Sequence, residues 1–312
     1  MENPILALIP SGYRAQKVYS VLPSDGSGDF AFDRNGKGTR VNKAGLIETI
    51  GASVDDLARL DWFNSNCPNL LIEPLRTNRQ VRSEELDNAS WSKVNTTVLA
   101  NQTTAPTGEL TADKLSRTST AANYVAGISS KSASSQLDVV SSVFVKQGQG
   151  DFIAFRAQGQ YPNRVDAIFQ FSTKTLTTSL GGSNFSVTSS QVQDYSNGWY
   201  RLSIVYNTDT RATLTTLLSP RATSGQIDAT DTSTTAFAYV WGVQFEEGST
   251  LSSYIETVSA ATTRLSDVCS VTTPTGVTTI TETFADNTTN VITTIPTTYT
   301  VSNGLIKKII MN

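Results

Sequence analysis

The sequence predicts an all-β protein: an antiparallel jelly-roll sandwich with an irregular N-terminal segment before it and C-terminal β-hairpins after it. Three observations predict this class. Short runs alternate apolar and polar residues and are separated by turn residues, the period-two signature of strands with one wet face. Charged residues are 16% and hydrophobic residues 38% of the 312 positions, against roughly 25% and 45–50% in ordinary globular chains. Thr, Ser, Asn and Gln fill the gap. Finally, no stretch offers the helices of ten residues or more that an alternating strand–helix fold requires.

Residues 1–85 read as an irregular, turn-rich segment. Phe30-Ala31-Phe32-Asp33, Asn35-Gly36 and Thr39-Arg40-Val41 form a candidate hairpin, because Asn-Gly favours the positive φ of a tight primed turn. Val54 to Leu60 suggests a helical turn with Val54, Leu57 and Ala58 on one face and Ser53 as its N-cap. Residues 86–257 form the sandwich. Ser142 to Lys146 and Phe152 to Ala157 flank the turn Gln147-Gly148-Gln149-Gly150. Val165, Ala167, Phe169 and Phe171 share one face; Tyr200, Leu202, Ile204 and Tyr206 share another after the turn Ser196-Asn197-Gly198. Strict alternation places Phe237, Tyr239, Trp241, Val243 and Phe245 together as well. Residues 258–312 are Thr-rich. Thr278 to Phe284 and Val291 to Ile295 turn at Asp286-Asn287, with a break at Pro296, and Tyr299 to Ser302 turns at Asn303-Gly304 into Leu305 to Met311. So thin a ribbon has little core of its own and must lie on a larger domain or on a sister chain.

Composition excludes several chemistries. There is no histidine, hence no Ser-His-Asp or Cys-His nucleophile and no imidazole base or metal ligand. Cys67 and Cys269 stand alone without a C-x-x-C pair, which fits two unlinked thiols in a chain made in a reducing compartment. A net charge of −3 has the wrong sign for a nucleic-acid footprint. The N-terminus lacks the basic region and long apolar core of a signal peptide, and no run approaches a membrane span. The expectation is synthesis in a cytoplasm, without membrane insertion, cofactor or metal.

Carboxylate pairs are the remaining route to catalysis. Asp55-Asp56, Glu84-Glu85 and Glu246-Glu247 are adjacent, so on a strand their members point to opposite faces and cannot straddle one bond. Solvated turn residues, or a calcium ligand at Glu246-Glu247, are the competing readings, and no catalytic residue is assigned. Aromatic rings suggest sugar stacking. Trp91, Tyr124, Tyr161, Tyr195, Trp199 and Trp241 are candidates, of which Tyr161, Tyr195 and Trp199 are taken as the glycan-binding set. The competing reading is burial, since aromatics at period two usually fill the core; it is favoured for Trp199 and Trp241. Arg76, Arg79 and Arg82 recur every third residue, but Glu73, Glu84 and Glu85 flank them, which favours internal ion pairs over a nucleic-acid strip.

Several phrases carry a resemblance. They begin with Ala7-Leu8-Ile9-Pro10-Ser11-Gly12-Tyr13 and Lys17-Val18-Tyr19-Ser20-Val21-Leu22-Pro23. Asp25 to Phe30, Thr39 to Asn42, Gly45 to Glu48 and Leu70-Leu71-Ile72-Glu73-Pro74 with Arg76-Thr77-Asn78 follow. Ala89-Ser90-Trp91, Ala105 to Gly108 and Thr111 to Leu115 open the sandwich. Gly198-Trp199-Tyr200-Arg201 and Trp241 to Ser249, ending in Ser253-Tyr254-Ile255, close it. Together they resemble bacteriophage virion proteins, the tail-fibre, head-fibre and decoration-like chains with carbohydrate-binding-module or concanavalin-A-like β-sandwiches. The tail from Gly276 to Asn312 is similar to C-terminal ribbons in virion proteins of crAss-like phages.

The resemblance implies a structural and adhesive virion protein, homotrimeric, with residues 1–85 and 258–312 serving docking and trimerisation. Implied partners are copies of itself, phage capsid or tail proteins, and host-surface or mucus glycans. Two other readings stay open: a free-standing lectin-like module, and a polysaccharide-degrading enzyme using Asp and Glu alone.

Overall fold

The computed structural model describes residues 3–51 and 53–312. Strands make up 50% of the chain and helix 1%, in multiple antiparallel sheets. The chain divides into two compact units, one from Thr77–Thr263 and the other combining Met1–Arg76 with Arg264–Asn312. The boundaries therefore fall near, but not at, the expected 86 and 257. The two flanking segments, read separately in the sequence, share one unit.

The central unit holds two six-stranded antiparallel sheets. The first runs, in spatial order, Ser92–Val94, Tyr124–Ser130, Thr213–Arg221, Phe152–Gln158, Arg164–Gln170 and Thr175–Gly181. The second runs Thr96–Thr103, Ala112–Arg117, Phe237–Glu247, Asp138–Gln149, Trp199–Asn207 and Ser186–Asp194. Both contribute to one apolar core: Val125, Phe155, Ala167, Phe169 and Leu218 from the first, Val143, Leu202, Ile204, Tyr206 and Phe245 from the second. This is a β-sandwich-like arrangement, in which alternate residues of facing strands leave water together. The 165–171 and 200–206 alternations are as the sequence predicts. Asn197 and Gly198, at φ of 62° and 77°, turn Ser186–Asp194 into Trp199–Asn207.

Strict alternation fails on Phe237–Glu247. Ala238, Val240, Val243 and Phe245 join the sandwich core, whereas Trp241 does not. The register against Asp138–Gln149 shifts between Ser142 and Phe144, opposite Gly242, whose φ is 61°. The extra residue of this bulge reverses facing midway along the strand, so Trp241 and Val243 point to opposite sides.

The other unit has its own core, drawn from both ends of the chain: Leu6, Leu8, Phe30, Phe32 and Leu70 pack with Cys269, Tyr299, Ile306, Ile309 and Met311. Gly304–Met311 pairs with Ile280–Phe284, Asn69–Ile72 and Leu6–Leu8. The Thr-rich tail thus obtains the larger surface it needs from the N-terminal segment of its own chain.

Local expectations here fare unevenly. Ile280–Phe284 and Thr289–Ile292 form the expected hairpin, with Asp286 accepting from the Thr288 N–H and hydroxyl. The second one does not form: Thr298–Thr300 pairs with Val268–Thr272. Likewise Phe30–Asp33 pairs with Lys17–Val18 and Val268–Thr272, and Gly38–Val41 with Ile47–Ile50. The helical turn at 54–60 is absent because Asp56 takes a φ of 59° and its carboxylate accepts from the Arg34 N–H; Arg59–Asp61 is then a strand paired with Asn69–Ile72.

A buried ion cluster joins the two chain ends. Asp267 accepts from Arg34 Nη1 at 2.8 Å, from Arg59 Nη2 and from the Glu73 backbone N–H at 2.8 Å. Arg59 also pairs with Glu73 at 2.7 Å, and Arg264 lies 3.4 Å from the same Glu73 oxygen. Three guanidinium groups thus face two carboxylates, and backbone carbonyls of Gly36, Leu57, Thr39 and Pro74 take further donors. Cys269 is buried, Cys67 is exposed, and both are free thiols. Among the described residues no helix is long and apolar enough to cross a membrane.

Candidate functional site

Tyr161 sits in the loop joining Phe152–Gln158 to Arg164–Gln170 and is 64% exposed. The Arg164 guanidinium carbon lies 5.5 Å from the ring centre, within cation–π range. Arg164 is itself fixed: Nε donates to Asp166 at 2.9 Å and Nη1 to the Pro162 carbonyl at 3.0 Å. One face of the phenol is therefore held by a cation.

Tyr195 and Trp199 lie elsewhere, at the turn before Trp199–Asn207 in the other sheet. Tyr195 is half-buried and meets Phe144 edge-on at 5.1 Å. Trp199 is 1% exposed, and its indole N–H donates to the Thr104 carbonyl at 2.9 Å. This corrects its assignment as a glycan platform: a ring with neither face in water has nothing to offer a pyranose. Trp91 and Trp241 are buried too. Of the three assigned residues, Tyr195 and Trp199 adjoin, the Tyr195 N–H donating to the Trp199 carbonyl, and Tyr161 stands on the opposite sheet.

What buries Trp241 is legible only in three dimensions. Segments 78–86 and 252–257 strap the outer face of the second sheet. Asn78 donates to the Ile255 carbonyl at 2.7 Å, Ser83 Oγ and Tyr254 Oη are 2.7 Å apart, and Gln244 accepts from the Ile255 N–H. Trp241, Phe144 and Tyr254 pack beneath, with ring centres 4.4–6.0 Å apart. Glu246, fully buried, accepts from the Ser252 N–H at 2.9 Å and hydroxyl at 2.6 Å.

The other carboxylates of the adjacent pairs are also engaged. Glu247 accepts from Ser132 and faces Arg79. Glu85 pairs with Arg82, Asp55 accepts from the Gly36 N–H, and Asp56 from Arg34. None of the three arginines is on a helix: Arg76 is in a strand, Arg79 in the loop after it, and Arg82 at a bend with a φ of 54°. Asp33 and Asp56 line a groove of about 270 Å³ with Gln16, Phe32 and Ser270; burial and the neighbouring Asp56 carboxylate push Asp33 upward.

Glu84 accepts from the Tyr254 hydroxyl at 2.9 Å. Burial, with the charges of Glu256 and Glu85 nearby, pushes it from an ordinary 4.5 to about 7. The raised value means that the unfolded chain loses this proton first, so Glu84 contributes stability below pH 4.5 that is lost as pH rises through 7. Since the group is partly solvated, the loss is about 1–2 kcal/mol. Asp113, raised to about 6 chiefly by burial, titrates in part of the same window. We expect Glu84→Gln to flatten, without abolishing, the fall in urea midpoint between pH 5 and pH 8. An unaltered slope would remove Glu84 from the account.

Sequence reasoning missed the groups covering the first sheet. The loop after Thr213–Arg221 folds across its outer face, where Ile227 packs on Ala154 and Leu217. Arg221 holds this loop through the carbonyls of Thr223, Gln226, Ala229 and Thr230. Asp228 takes Arg156 bidentately at 2.8 and 2.9 Å, and Asp166 takes the same arginine at 2.5 Å. An arginine amid apolar residues, as at 156, is the signal that could have pointed here.

No protein-family profile matches the chain, and no curated protein matches it significantly.

Proposed function

We propose that this chain is a structural and adhesive virion protein of a bacteriophage, a homotrimeric head- or tail-fibre or decoration subunit whose jelly-roll sandwich binds glycans weakly. The observation that supports it most is where the charge is used. All six carboxylates of the adjacent acid pairs accept hydrogen bonds or ion pairs that hold loops and strands, while an aromatic ring, Tyr161, is presented to solvent. From Ser92 to Glu247 the chain alternates repeatedly between the two sheets of the central unit, as a jelly roll does. Thr289–Ile292 forms an outer sheet edge with Val291 exposed, a ready partner for a strand of another copy. Assembly in a host bacterial cytoplasm and docking to capsid or tail proteins belong to the same proposal.

Size-exclusion chromatography with light scattering tests it. The expected mass is three times that of the chain; a well-folded monomer at micromolar concentration would contradict it. A free-standing lectin-like module is the second reading, favoured by the same exposed Tyr161.

A further inference from the structure

Resting on the glycan-binding part of that proposal, we infer that the loop corner carrying Gln160, Tyr161, Arg164 and Arg211 binds an acidic sugar, a pyranose bearing a carboxylate. The ring supplies the stacking face. Arg164 occupies one side of the phenol and the ring is largely exposed, so a sugar can lie on its other side.

Arg211 supplies the charge. It is exposed, donates from Nη1 to Gln160 Oε1 at 2.8 Å and from Nε to Thr213 Oγ1 at 3.4 Å. Among the described residues no carboxylate lies within ion-pair distance of its guanidinium. The Gln160 contact places this cation one residue from Tyr161. Asp166, the carboxylate beside Arg164, is shared with Arg156, which also binds Asp228. With Asp209 and the buried Lys131 behind the corner included, Arg156, Arg164, Arg211 and Lys131 stand against Asp166, Asp209 and Asp228, an excess of one positive charge on a chain whose net charge is −3. An exposed guanidinium with free donors suits a planar carboxylate.

The corner is built before any ligand arrives. Lys131 is buried and its ammonium donates to the Ser135 carbonyl at 2.6 Å, Thr208 Oγ1 at 3.1 Å and the Asp209 carbonyl at 2.6 Å. Asp209 then accepts from the backbone N–H of Gln160 at 2.7 Å and of Arg211 at 3.1 Å. Gly159 permits this approach, since a Cβ there would lie 2.4 Å from Asp209 Oδ2. Loops fixed in this way lose little further freedom on binding.

The test is an array of uronate- and sialate-bearing oligosaccharides printed beside their carboxyl-reduced counterparts, probed with the full chain. The expected result is binding at least about tenfold stronger to acidic members, the gain of one charge-assisted contact. Arg211→Gln should abolish the preference, and Tyr161→Ala should abolish binding to both series; both side chains are exposed, and circular dichroism checks that each variant folds. Equal binding to acidic and reduced sugars, or an acidic preference that survives Arg211→Gln, overturns the acidic-sugar inference while glycan adhesion stands. Binding to neither series overturns both, and leaves the trimer to be judged by its mass.

Discussion

Asp267→Ala is expected to destabilise the unit built from the two chain ends by about 3–5 kcal/mol, the usual cost of breaking a buried ion pair from one side. The Asp267 carboxylate, fully buried, takes hydrogen bonds from Arg34, Arg59 and the Glu73 backbone. Its removal leaves three guanidinium groups around Glu73 alone. Arginine does not lose its proton at any ordinary pH, so that charge cannot be relieved by titration. The cluster also joins segments distant in sequence, Asp267 lying 233 positions from Arg34 and 208 from Arg59. Limited proteolysis read by mass spectrometry should show early cleavage in residues 3–76 and 264–312, with 77–263 still protected. If the variant retains wild-type resistance in those segments, the cluster does not hold the ends together.

Trp241→Ala is expected to cost the sandwich unit a similar amount, about 3–5 kcal/mol, the range for removing a large buried aromatic. The indole contacts Phe144 and Tyr254 and donates to Thr111 Oγ1 at 3.1 Å. Its position outside the sandwich core gives the variant a distinguishing signature. The straps at 78–86 and 252–257 rest on this ring, so their amides should lose hydrogen-exchange protection before those of Val143 or Leu202. Uniform loss of protection throughout the unit would show that Trp241 belongs energetically to the sandwich core rather than to the strapped face.

The strands of the central unit were readable because their cause is local. Val165, Ala167, Phe169 and Phe171 alternate with polar residues, and the pleat alone sends them to one side. The same rule failed at Trp241, since a bulge at Gly242 depends on the partner strand as well as on the residue itself. Tyr161 was legible as a loop residue beside Pro162-Asn163, and the loop does expose it. The burial of Trp199 was legible too, as the favoured reading for an aromatic in a sandwich, but not its partner, because the Thr104 carbonyl that captures its N–H comes from 95 positions away. Arg211 escaped notice for a like reason: contacts through Gln160 and Asp209, far from it or from Tyr161 in sequence, bring it to the loop that carries Tyr161.

By itself, then, the order of residues determined the all-β character, the place of several turns and the side to which uninterrupted strands turn their apolar residues, all consequences of forces acting within a few positions. The tertiary structure alone decided that both chain ends make one unit, that carboxylates and arginines widely separated in sequence share a buried cluster, and which aromatic rings meet water. Those outcomes depend on which distant segments can satisfy one another's hydrogen bonds and charges once water is excluded, and no local pattern encodes that choice.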